Sequence, residues 1–430
     1  MPPPGLQRER GMSVRSQRPG QGSNSIQVRQ FNERIVLRVL RRLGEASKAD
    51  LARAAGLTNN AIGDIIRELI AMGLVGEVGK RREGQRGQPA TMLAIEAQGA
   101  YSIGVRIDRV ATEVICIDFD GQVVAQRLHD FTLPVPEKLL PVVAEDIRAI
   151  LDDNPFVSER LTGIGLGQPY HLGSWLRELE LPASSFKRWD DFDFATALAN
   201  ATGLPVFSEN DGNAAAIAEL FYGCGREIDD YLYIFVGGAV GGGVVLAGDC
   251  LHGVTGNAGD VAMLPVPGSK LPSAPKPERP FDVLLTRCSL TALKRHLRWH
   301  GEAPESLADV VALLDRQPRP TAFDEWIDDA VAALVPAVMA ASAVLDVSHV
   351  VLDGDLPGLV GEIIDRLETA IAAACPESVR PPQLIRGTFG PAAGAIGAAT
   401  LPLFFNFSPR PTILTGAADP VAEPRGPETE

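Results

Sequence analysis

Residues 204–216 read LPVFSENDGNAAA. A short apolar run rich in β-branched and aromatic residues leads into an Asn-Asp pair, and an Ala-rich segment with an early Gly follows. This order predicts a strand, a turn and a helix. Asn210 and Asp211 would then lie at the carboxyl end of a strand, where open α/β sheets bind their ligands. Because Asp is also a favoured helix cap, a purely structural role for Asp211 explains this stretch equally well when it is taken alone.

Three further stretches contain closely spaced glycines. They read VGGAVGGGVV at 236–245, GNAGD at 256–260 and GPAAGAIGAA at 390–399. Residues 237–243 of the first stretch are predicted to form one Gly-rich turn between two apolar runs. In this order and at these separations, the four stretches together resemble the ROK family (repressor, open reading frame, kinase), and the resemblance covers most of the chain up to residue 403. It implies an α/β body with a two-lobed, hexokinase/actin-like fold of the duplicated RNase-H type. The family uses this fold in sugar kinases and in sugar-responsive repressors.

The charge of the chain is unevenly distributed. The 430 residues have a net charge of −14, yet residues 1–95 carry 16 Lys and Arg against 8 Asp and Glu, whereas the remaining residues carry 24 against 46. A basic front on an acidic body indicates a polyanionic partner for the front alone. No apolar run approaches the ~18 residues of a membrane helix, and the first residues lack the apolar core of a signal peptide. We therefore expect a cytoplasmic protein that does not contact a membrane.

Residues 25–95 have the pattern of a winged helix-turn-helix. Apolar residues at helical spacing follow Phe31, and Ser47 and Asp50 form a capping box that opens a second helix. Gly56 lies in the turn before a third helix, which Thr58 caps. The third helix has an apolar stripe on one face and amides and charges on the other, as expected of a helix that reads the major groove. A plain solvated helix face is the alternative.

A long basic loop follows this third helix. Residues 80–89 read KRREGQRGQP and lie between two short apolar segments, which predicts the two strands and the wing of a winged helix. Cations on such a loop can neutralise phosphates and enter a minor groove. ROK repressors typically have Gly-Arg-Pro where this chain has Gly-Gln-Pro, so Arg86 is predicted to replace the missing arginine. The residues predicted to contact DNA are Thr58, Asn59, Asn60, Asp64, Arg67, Lys80, Arg81, Arg82, Arg86 and Gln88.

The nucleotide-binding motifs of the family's kinases are altered in this chain. Their first turn reads Asp-x-Gly-Gly-Thr, and the corresponding segment 106–112 reads RIDRVAT. Arg106 replaces the acidic residue, and Asp108 and Arg109 replace the glycines. Side chains there would block the close approach of the backbone to phosphates, and a carboxylate would repel a triphosphate. We therefore predict that the protein is not an enzyme, and we assign it no catalytic residue and no cofactor.

The resemblance also implies a sugar pocket between the lobes. Asp211 matches the general base of the kinases, and a carboxylate beside an amide can bind vicinal hydroxyls without catalysis. Asp260 replaces the family's Glu. Tyr170 and Trp189 could stack on a sugar face, with simple core aromatics as the alternative. The residues predicted to bind the effector are Gln168, Tyr170, Trp189, Asn210, Asp211, Asn257 and Asp260.

The zinc site that the family usually carries is predicted to be absent. Met263 takes the place of the histidine ligand, and a linker rich in Pro and Lys replaces the Cys-rich cluster that should follow. His296 and His300 lie one helical turn apart, and we expect no acidic or thiol group to partner them. We interpret them as a surface pair and assign no metal ligand.

The predicted organisation has six parts. They are a disordered basic arm (1–24), the winged helix-turn-helix (25–95), lobe 1 (96–218), lobe 2 (219–386), a helix that returns to lobe 1 (387–403) and a disordered tail (404–430). The favoured function is a DNA-binding transcriptional repressor that responds to a sugar or sugar derivative bound between the lobes. Its expected partners are a double-stranded operator with an inverted repeat and further copies of the chain, in a homodimer or homotetramer. A ROK-type sugar kinase and a repressor with a non-functional sugar site remain the alternatives.

Overall fold

The computed structural model describes residues 25–81, 89–130, 133–182, 186–276, 280–415 and 421–424. The predicted arm of residues 1–24 lies outside this described part, and so do Arg82, Arg86 and Gln88 of the predicted wing. The described residues form an N-terminal domain followed by two lobes, and each lobe has its own large sheet.

The N-terminal domain is a winged helix-turn-helix, which confirms the sequence prediction. Its elements are α1 (Ser25–Leu43), β1 (Glu45–Ser47), α2 (Lys48–Ala55), α3 (Asn59–Ala71), β2 (Val75–Arg81) and β3 (Ala90–Ile95). The strands form an antiparallel sheet in the order β1-β3-β2. The capping box is present, since Asp50 N donates to Ser47 Oγ (3.2 Å) and Ser47 N donates to Asp50 Oδ2 (3.1 Å). The apolar stripe of α3 is buried in one core with Leu37 and Leu40 of α1.

Lobe 1 is built on a six-stranded mixed sheet, whose sixth strand, β16 (Val421–Ala422), comes from the end of the described chain. Its elements are β4 (Tyr101–Ile107), β5 (Ala111–Asp118), β6 (Val123–Asp130), α4 (Pro136–Asp153), α5 (Pro155–Ser158), β7 (Leu161–Gln168), α6 (Phe194–Thr202) and β8 (Val206–Asn210). β4, β5 and β6 are antiparallel neighbours, whereas β7 and β8 are added in parallel. The parallel strands bring their carboxyl ends to one edge, where β8 ends at Asn210.

Lobe 2 has a five-stranded sheet with helices packed around it. Helix α7 (Asp211–Tyr222) leads from lobe 1 into lobe 2. The elements of lobe 2 are β9 (Tyr231–Val236), β10 (Val240–Leu246), β11 (Asp249–Cys250), β12 (Pro265–Val266), β13 (Asp282–Val283), α8 (Leu284–Cys288), α9 (Leu290–Trp299), α10 (Leu307–Leu314), α11 (Ala322–Leu345), β14 (His349–Gly354), α12 (Pro357–Ala374) and β15 (Gln383–Arg386). The sheet order is β11-β10-β9-β14-β15.

Helix α13 (Ala393–Phe407) returns to lobe 1 and packs against α7, β4 and β7. Small residues make this close contact possible. A Cβ added at Gly165 of β7 would overlap the backbone oxygen of Ala398, and a Cβ at Gly104 of β4 would overlap the backbone of Ala399. Helix α13 and the sheet of lobe 1 are therefore held together by close packing against each other's backbone.

Helix α11 is long and apolar enough to cross a membrane by length and composition. It is the one helix among the described residues that meets this test. Its Phe323, Trp326 and Ile327 are completely buried in the core of lobe 2. The helix packs against α8, α9 and α12, so its apolar character is explained by its place in that core.

The structure corrects two sequence predictions about the backbone. The glycine-rich segment 237–243 was predicted to be one turn, but only residues 237–239 connect the strands, and Gly241 to Gly243 belong to β10. Two of these glycines are needed for packing, because a Cβ at Gly242 would lie 2.6 Å from Gly259 O and a Cβ at Gly243 would lie 2.7 Å from the Cβ of Ala216 on α7.

The second correction concerns the tail 404–430, which was predicted to be disordered. Phe404 and Phe405 are buried in the last turn of α13, and a short helix α14 (Pro411–Thr415) and strand β16 (Val421–Ala422), paired with β8, follow. Composition suggested disorder, yet the tail begins with aromatic residues that belong to a core shared by the winged helix, both lobes and α7. Residues 416–420 and 425–430 lie outside the described part.

Candidate functional site

A cleft of about 660 Å³ lies between the two lobes. Its walls are formed by the carboxyl ends of β4 and β8, the first turn of α7, the β9–β10 hairpin, α9 and the start of α13. The fold brings most of the predicted effector-binding residues to this one place. Those that line the cleft are Tyr170, Asn210, Asp211, Asn257 and Asp260.

Asn210, rather than Asp211, caps helix α7. The Oδ1 atom of Asn210 accepts hydrogen bonds from the backbone N–H groups of Gly212 (2.8 Å) and Asn213 (3.4 Å), and β8 runs directly into α7 without an intervening turn. Its Nδ2 donates to Asn257 Oδ1 (3.3 Å), and Asn257 Nδ2 donates to Asp260 Oδ2 (3.1 Å). This chain of amides and a carboxylate offers the mixture of donors and acceptors that vicinal hydroxyl groups require.

Asp211 is the first residue of α7 and lies half-buried in the cleft wall. Its Oδ1 accepts a hydrogen bond from Gly212 N at 2.9 Å. Burial raises the pKa of the Asp211 carboxyl, and Asp108 raises it further, while Arg106 and Arg109 oppose the change. A carboxylate held in this position can accept hydrogen bonds from the hydroxyls of a ligand, because the cap of the helix is already provided by its neighbour.

An ion pair occupies the turn that carries glycines in the kinases. Arg106 Nη2 donates to Asp108 Oδ2 at 2.9 Å. The Arg106 side chain lies against the start of α13, since a Cβ at Gly394 would be 2.7 Å from Arg106 Nε. Asp355 faces the same region and accepts a hydrogen bond from Gly238 N (3.3 Å). This end of the cleft thus holds the carboxyl groups of Asp108, Asp211 and Asp355 beside the guanidinium groups of Arg106 and Arg109.

Two of the predicted effector-binding residues are not part of the cleft wall. Trp189 is buried, stacks on Phe194 with ring centroids 5.5 Å apart, and donates from Nε1 to Pro134 O (3.0 Å). It is a core aromatic, so its assignment to sugar stacking is wrong. Gln168 pairs in register with Asn210 at the end of β7, and its buried Oε1 has no hydrogen-bond partner within the described residues. Tyr170 is 40% exposed at the mouth of the cleft and remains available for stacking.

The predicted DNA-reading residues lie on the exposed side of α3. Thr58 caps the helix, with Ala61 N donating to its Oγ1 at 3.3 Å, so its side chain is already engaged. Asn59 and Asn60 are exposed in the first turn. Arg67 and Asp64 form an exposed ion pair at 3.1 Å. Lys80 and Arg81 are exposed where β2 enters the wing, and Arg81 also pairs with Asp50 of α2 (3.1 Å).

The sequence profile of the ROK family matches residues 102–403. The chain belongs to the ROK family. It is 29% identical over 384 residues to an uncharacterized protein, y4fQ, of Sinorhizobium fredii, and this match covers 88% of the chain and 92% of that protein. It is also 27% identical over 226 residues to the DNA-binding transcriptional repressor Mlc of Escherichia coli, with 53% of the chain and 55% of Mlc covered.

The xylose repressor of Bacillus subtilis is 23% identical over 239 residues, with 56% of the chain and 61% of the repressor covered. The matches to these named repressors thus span little more than half of either protein. Among solved structures, a ROK family transcriptional regulator homologous to Mlc of E. coli superposes with a TM-score of 0.64 at 22% identity, covering 91% of this chain and 100% of the other. A ROK hexokinase from Thermus thermophilus superposes with a TM-score of 0.53 at 26% identity, covering 70% and 96%. Both likenesses confirm the two-lobed fold.

Sequence reasoning missed a positioning residue in this ROK body. Arg109 was interpreted only as a side chain that obstructs phosphate. In the structure it is buried, and its guanidinium donates to the backbone oxygens of His171, Leu172 and Ser174, each at 3.2 Å. It therefore fixes the loop that carries Tyr170 at the cleft mouth. The replacement of a family glycine by Arg was the available signal, whereas nothing in the sequence marked Thr291 and Lys294 of α9 as cleft residues.

The interpretation of His296 and His300 as a surface pair without acidic partners is wrong. His296 is completely buried, and the Nε2 atoms of both imidazoles lie 3.1 Å from the same carboxylate oxygen, Oε2 of Glu325. Glu325 belongs to α11, so a contact between two helices distant in sequence supplies the partner.

Proposed function

We propose that the protein is a cytoplasmic transcriptional repressor whose affinity for an inverted-repeat operator changes when a sugar or sugar derivative binds between the lobes. One observation carries this proposal: the same chain has a winged helix with an exposed polar face on α3 and a cleft lined by Asn210, Asp211 and Asp260. The ion pair of Arg106 and Asp108 replaces the phosphate turn in the same cleft. The relatives named as Mlc and xylose repressor support the same function.

We infer the DNA contacts from the exposed face of α3 and from the end of β2, which leads towards the predicted wing. Exposed amides at Asn59 and Asn60 suit adenine edges, and Arg67 suits guanine, if α3 enters the major groove. Lys80 and Arg81 would neutralise phosphates next to the groove. In a homodimer or homotetramer, two such helices would engage half-sites about 34 Å apart, which is one helical turn of DNA.

Helix α1 offers a route from the cleft to the DNA-binding domain because it contacts both lobes. Arg34 donates to the backbone oxygens of Phe405 (2.9 Å) and Ser408 (3.3 Å) at the end of α13. Arg42 donates to Gly225 O (3.0 Å) and to the Asp229 carboxylate (3.2 Å) in lobe 2. A ligand that binds one arrangement of the lobes more tightly than the other would shift these anchors relative to each other. The spacing of the two winged helices in an oligomer would then change.

Operator binding measured by fluorescence anisotropy tests the proposal. DNA fragments that flank the gene for this protein are titrated with and without a panel of sugars, at two salt concentrations. We expect sequence-selective binding that weakens steeply with salt and changes with one sugar. The Asn59→Ala, Asn60→Ala double variant is expected to lose selectivity by about 1–3 kcal/mol per base contact, whereas Asp365→Asn, an exposed change on α12, leaves it intact. Selective binding that no sugar alters would refute the sensor role, and the lack of any selective binding would refute the repressor.

A sugar kinase is the second candidate, and the position of Asp211 favours it. This carboxylate projects from the start of α7 into the cleft, where a general base could take the proton from a sugar hydroxyl. The candidate predicts ATP-dependent sugar phosphorylation that Asp211→Asn abolishes. A kinase would have to bind a triphosphate beside the carboxyl groups of Asp108 and Asp355. For this reason we favour the repressor over the kinase.

A further inference from the structure

Two helices of lobe 2 bring three metal-binding side chains together outside the cleft. His296 and His300 project from successive turns of α9, with ring centroids 4.8 Å apart and ring planes inclined by 76°. Glu325 projects from α11, and its Oε2 is 3.1 Å from Nε2 of each imidazole. Potential ligand atoms of all three residues lie within 4.8 Å of one another.

We propose that His296, His300 and Glu325 bind one divalent transition-metal ion, for which Zn²⁺ fits best, and that the ion ties α9 to α11. Zinc binds imidazole nitrogens at about 2.0–2.1 Å and carboxylate oxygens at about 2.0–2.2 Å, usually in a tetrahedron. Ligand atoms on such a tetrahedron are roughly 3.3 Å apart. The observed nitrogen-to-oxygen distances of 3.1 Å require only a small outward movement of the side chains.

A further contact orients the buried ligand. Ser273 Oγ is 2.8 Å from His296 Nδ1, so the serine oxygen can accept the Nδ1 proton while Nε2 faces the metal. Metal-bound histidines commonly have such a partner, which sets the tautomer and the ring orientation.

The exposure of the three residues suits a site that metal can enter. The His296 side chain is completely buried, whereas the side chains of His300 and Glu325 are 31% and 42% exposed. The open side leaves room for a water molecule as the fourth ligand. These residues belong to other elements than Met263, so the site is separate from the position where the family's histidine ligand would stand.

The proposed metal site shares helix α9 with the wall of the cleft. Helix α9 also supplies Thr291 and Lys294 to the cleft wall. An ion that joins α9 to the core helix α11 would hold this wall in place. The proposal stands independently of the proposed repressor function, because metal binding can be measured without DNA or sugar.

Calorimetric titration with ZnCl₂ tests the site on the full-length chain after it has been stripped of metal by a chelator. We expect one equivalent of Zn²⁺ to bind, and one equivalent of Co²⁺ to give the intense visible absorption of a tetrahedral complex. Glu325→Gln and His300→Ala are partly exposed changes, and we expect both to abolish stoichiometric binding. Ser273→Ala is expected to weaken binding by roughly 10- to 100-fold. His349→Ala, which removes a histidine on β14, is the matched control and should bind as the wild type does.

Folding of each variant is checked by circular dichroism, so that loss of metal is not confused with loss of structure. Zn²⁺ should raise the melting temperature of the wild type and of His349→Ala, but not that of His300→Ala. The proposal is overturned if the wild type binds no stoichiometric metal, in which case the two histidines are only hydrogen-bonded to Glu325. It is equally overturned if Glu325→Gln and His300→Ala bind as tightly as the wild type, because the metal would then lie elsewhere.

Discussion

Asp355 follows β14 and is half-buried in the cleft wall, where burial raises the pKa of its carboxyl from 3.8 to about 6. The folded protein therefore holds this proton more tightly than the unfolded chain does. Protonation of Asp355 therefore contributes its full stabilisation of the folded protein below pH 3.8, the unfolded pKa. This contribution is lost as the pH rises through the folded pKa of about 6. Asp355→Asn removes the buried charge. It is expected to stabilise the protein by about 1–3 kcal/mol near neutral pH, and by less near pH ~5.

Thermal melts of the wild type and of Asp355→Asn at the two pH values measure this effect. Asp365→Asn makes the same chemical change at an exposed position of α12 and should shift the melting temperature little at either pH. A gain for Asp355→Asn that is the same at both pH values would contradict the assignment of the raised pKa to this carboxyl.

Asp211 supports a different prediction, which concerns the ligand. If its carboxylate binds a sugar hydroxyl, Asp211→Asn removes a charged hydrogen bond worth about 1.5–3 kcal/mol. The affinity for the effector should fall by roughly 10- to 100-fold, while operator affinity without sugar is unchanged. Calorimetry with the sugar that alters operator binding measures the loss, and Asp130→Asn, an exposed change at the end of β6, serves as the control. Unaltered sugar affinity in Asp211→Asn would exclude a binding role for this carboxylate.

Among the secondary-structure elements, α13 and β7 are in the tightest contact, and glycine permits it. A Cβ at Gly165 would overlap the backbone oxygen of Ala398, so Gly165→Ala has to push α13 away from the sheet. Overpacking of this kind typically costs about 1–3 kcal/mol. Gly358 in the first turn of α12 has nothing within 4 Å of an added Cβ, and Gly358→Ala is the matched control. We expect a lower melting temperature for Gly165→Ala and no loss for Gly358→Ala; equal effects would show that the contact is looser than the structure has it.

Elements with strong local signals were predictable from the sequence, and those defined by distant contacts were not. The capping residues Ser47 and Thr58 mark their helices through hydrogen bonds within three residues, so α2 and α3 could be assigned. Gly241 to Gly243 look like a turn in the sequence, but they pair with β9 as part of β10, and α7 leaves no space for a Cβ at Gly243. The reason for those glycines lies on another element, and local pattern cannot reveal it.

The residues of the candidate site that belong to family motifs were predicted from the sequence, and the others were not. Asn210, Asp211, Asn257 and Asp260 come together as expected, because each motif ends at the interlobe edge of its lobe. Trp189 lies in the core instead, stacked on Phe194. The direction in which an aromatic side chain points depends on tertiary packing, which the sequence alone does not show. The partner of His296 and His300 was missed because Glu325 approaches from a different helix.

For the molecule as a whole, α1 of the winged helix-turn-helix is in contact with both α13 and lobe 2. Helix α1 is anchored to the end of α13 through Arg34 and to lobe 2 through Arg42. Between these anchors, the Arg41 guanidinium is buried 3.6 Å from the ring centroid of Phe221 on α7, and its Nη atoms have no hydrogen-bond partner in the described part of the chain. Such a buried cation in an aromatic setting tolerates little displacement. Movement of α7 and lobe 2 should therefore be transmitted to α1.

Breaking one anchor should separate sugar binding from DNA release. Arg42→Ala removes hydrogen bonds to the Asp229 carboxylate and to the backbone oxygen of Gly225. Because the side chains of Arg42 and Asp229 are partly exposed, we expect the variant to fold. Allosteric coupling between two sites is typically worth about 1–3 kcal/mol, a 5- to 150-fold change in affinity. We expect Arg42→Ala to bind operator and sugar separately as the wild type does, while the ratio of operator Kd values with and without sugar falls towards one. Arg148→Ala, whose ion pair with Glu145 stays within α4, removes the same charge without touching the domain contact and should keep the full ratio. If the ratio of Kd values in Arg42→Ala equals that of the wild type, the effect of the sugar does not pass through Arg42. It would then pass through the contacts of Arg34 or through the proposed subunit interface. Arg34→Ala, measured in the same way, would distinguish these two routes.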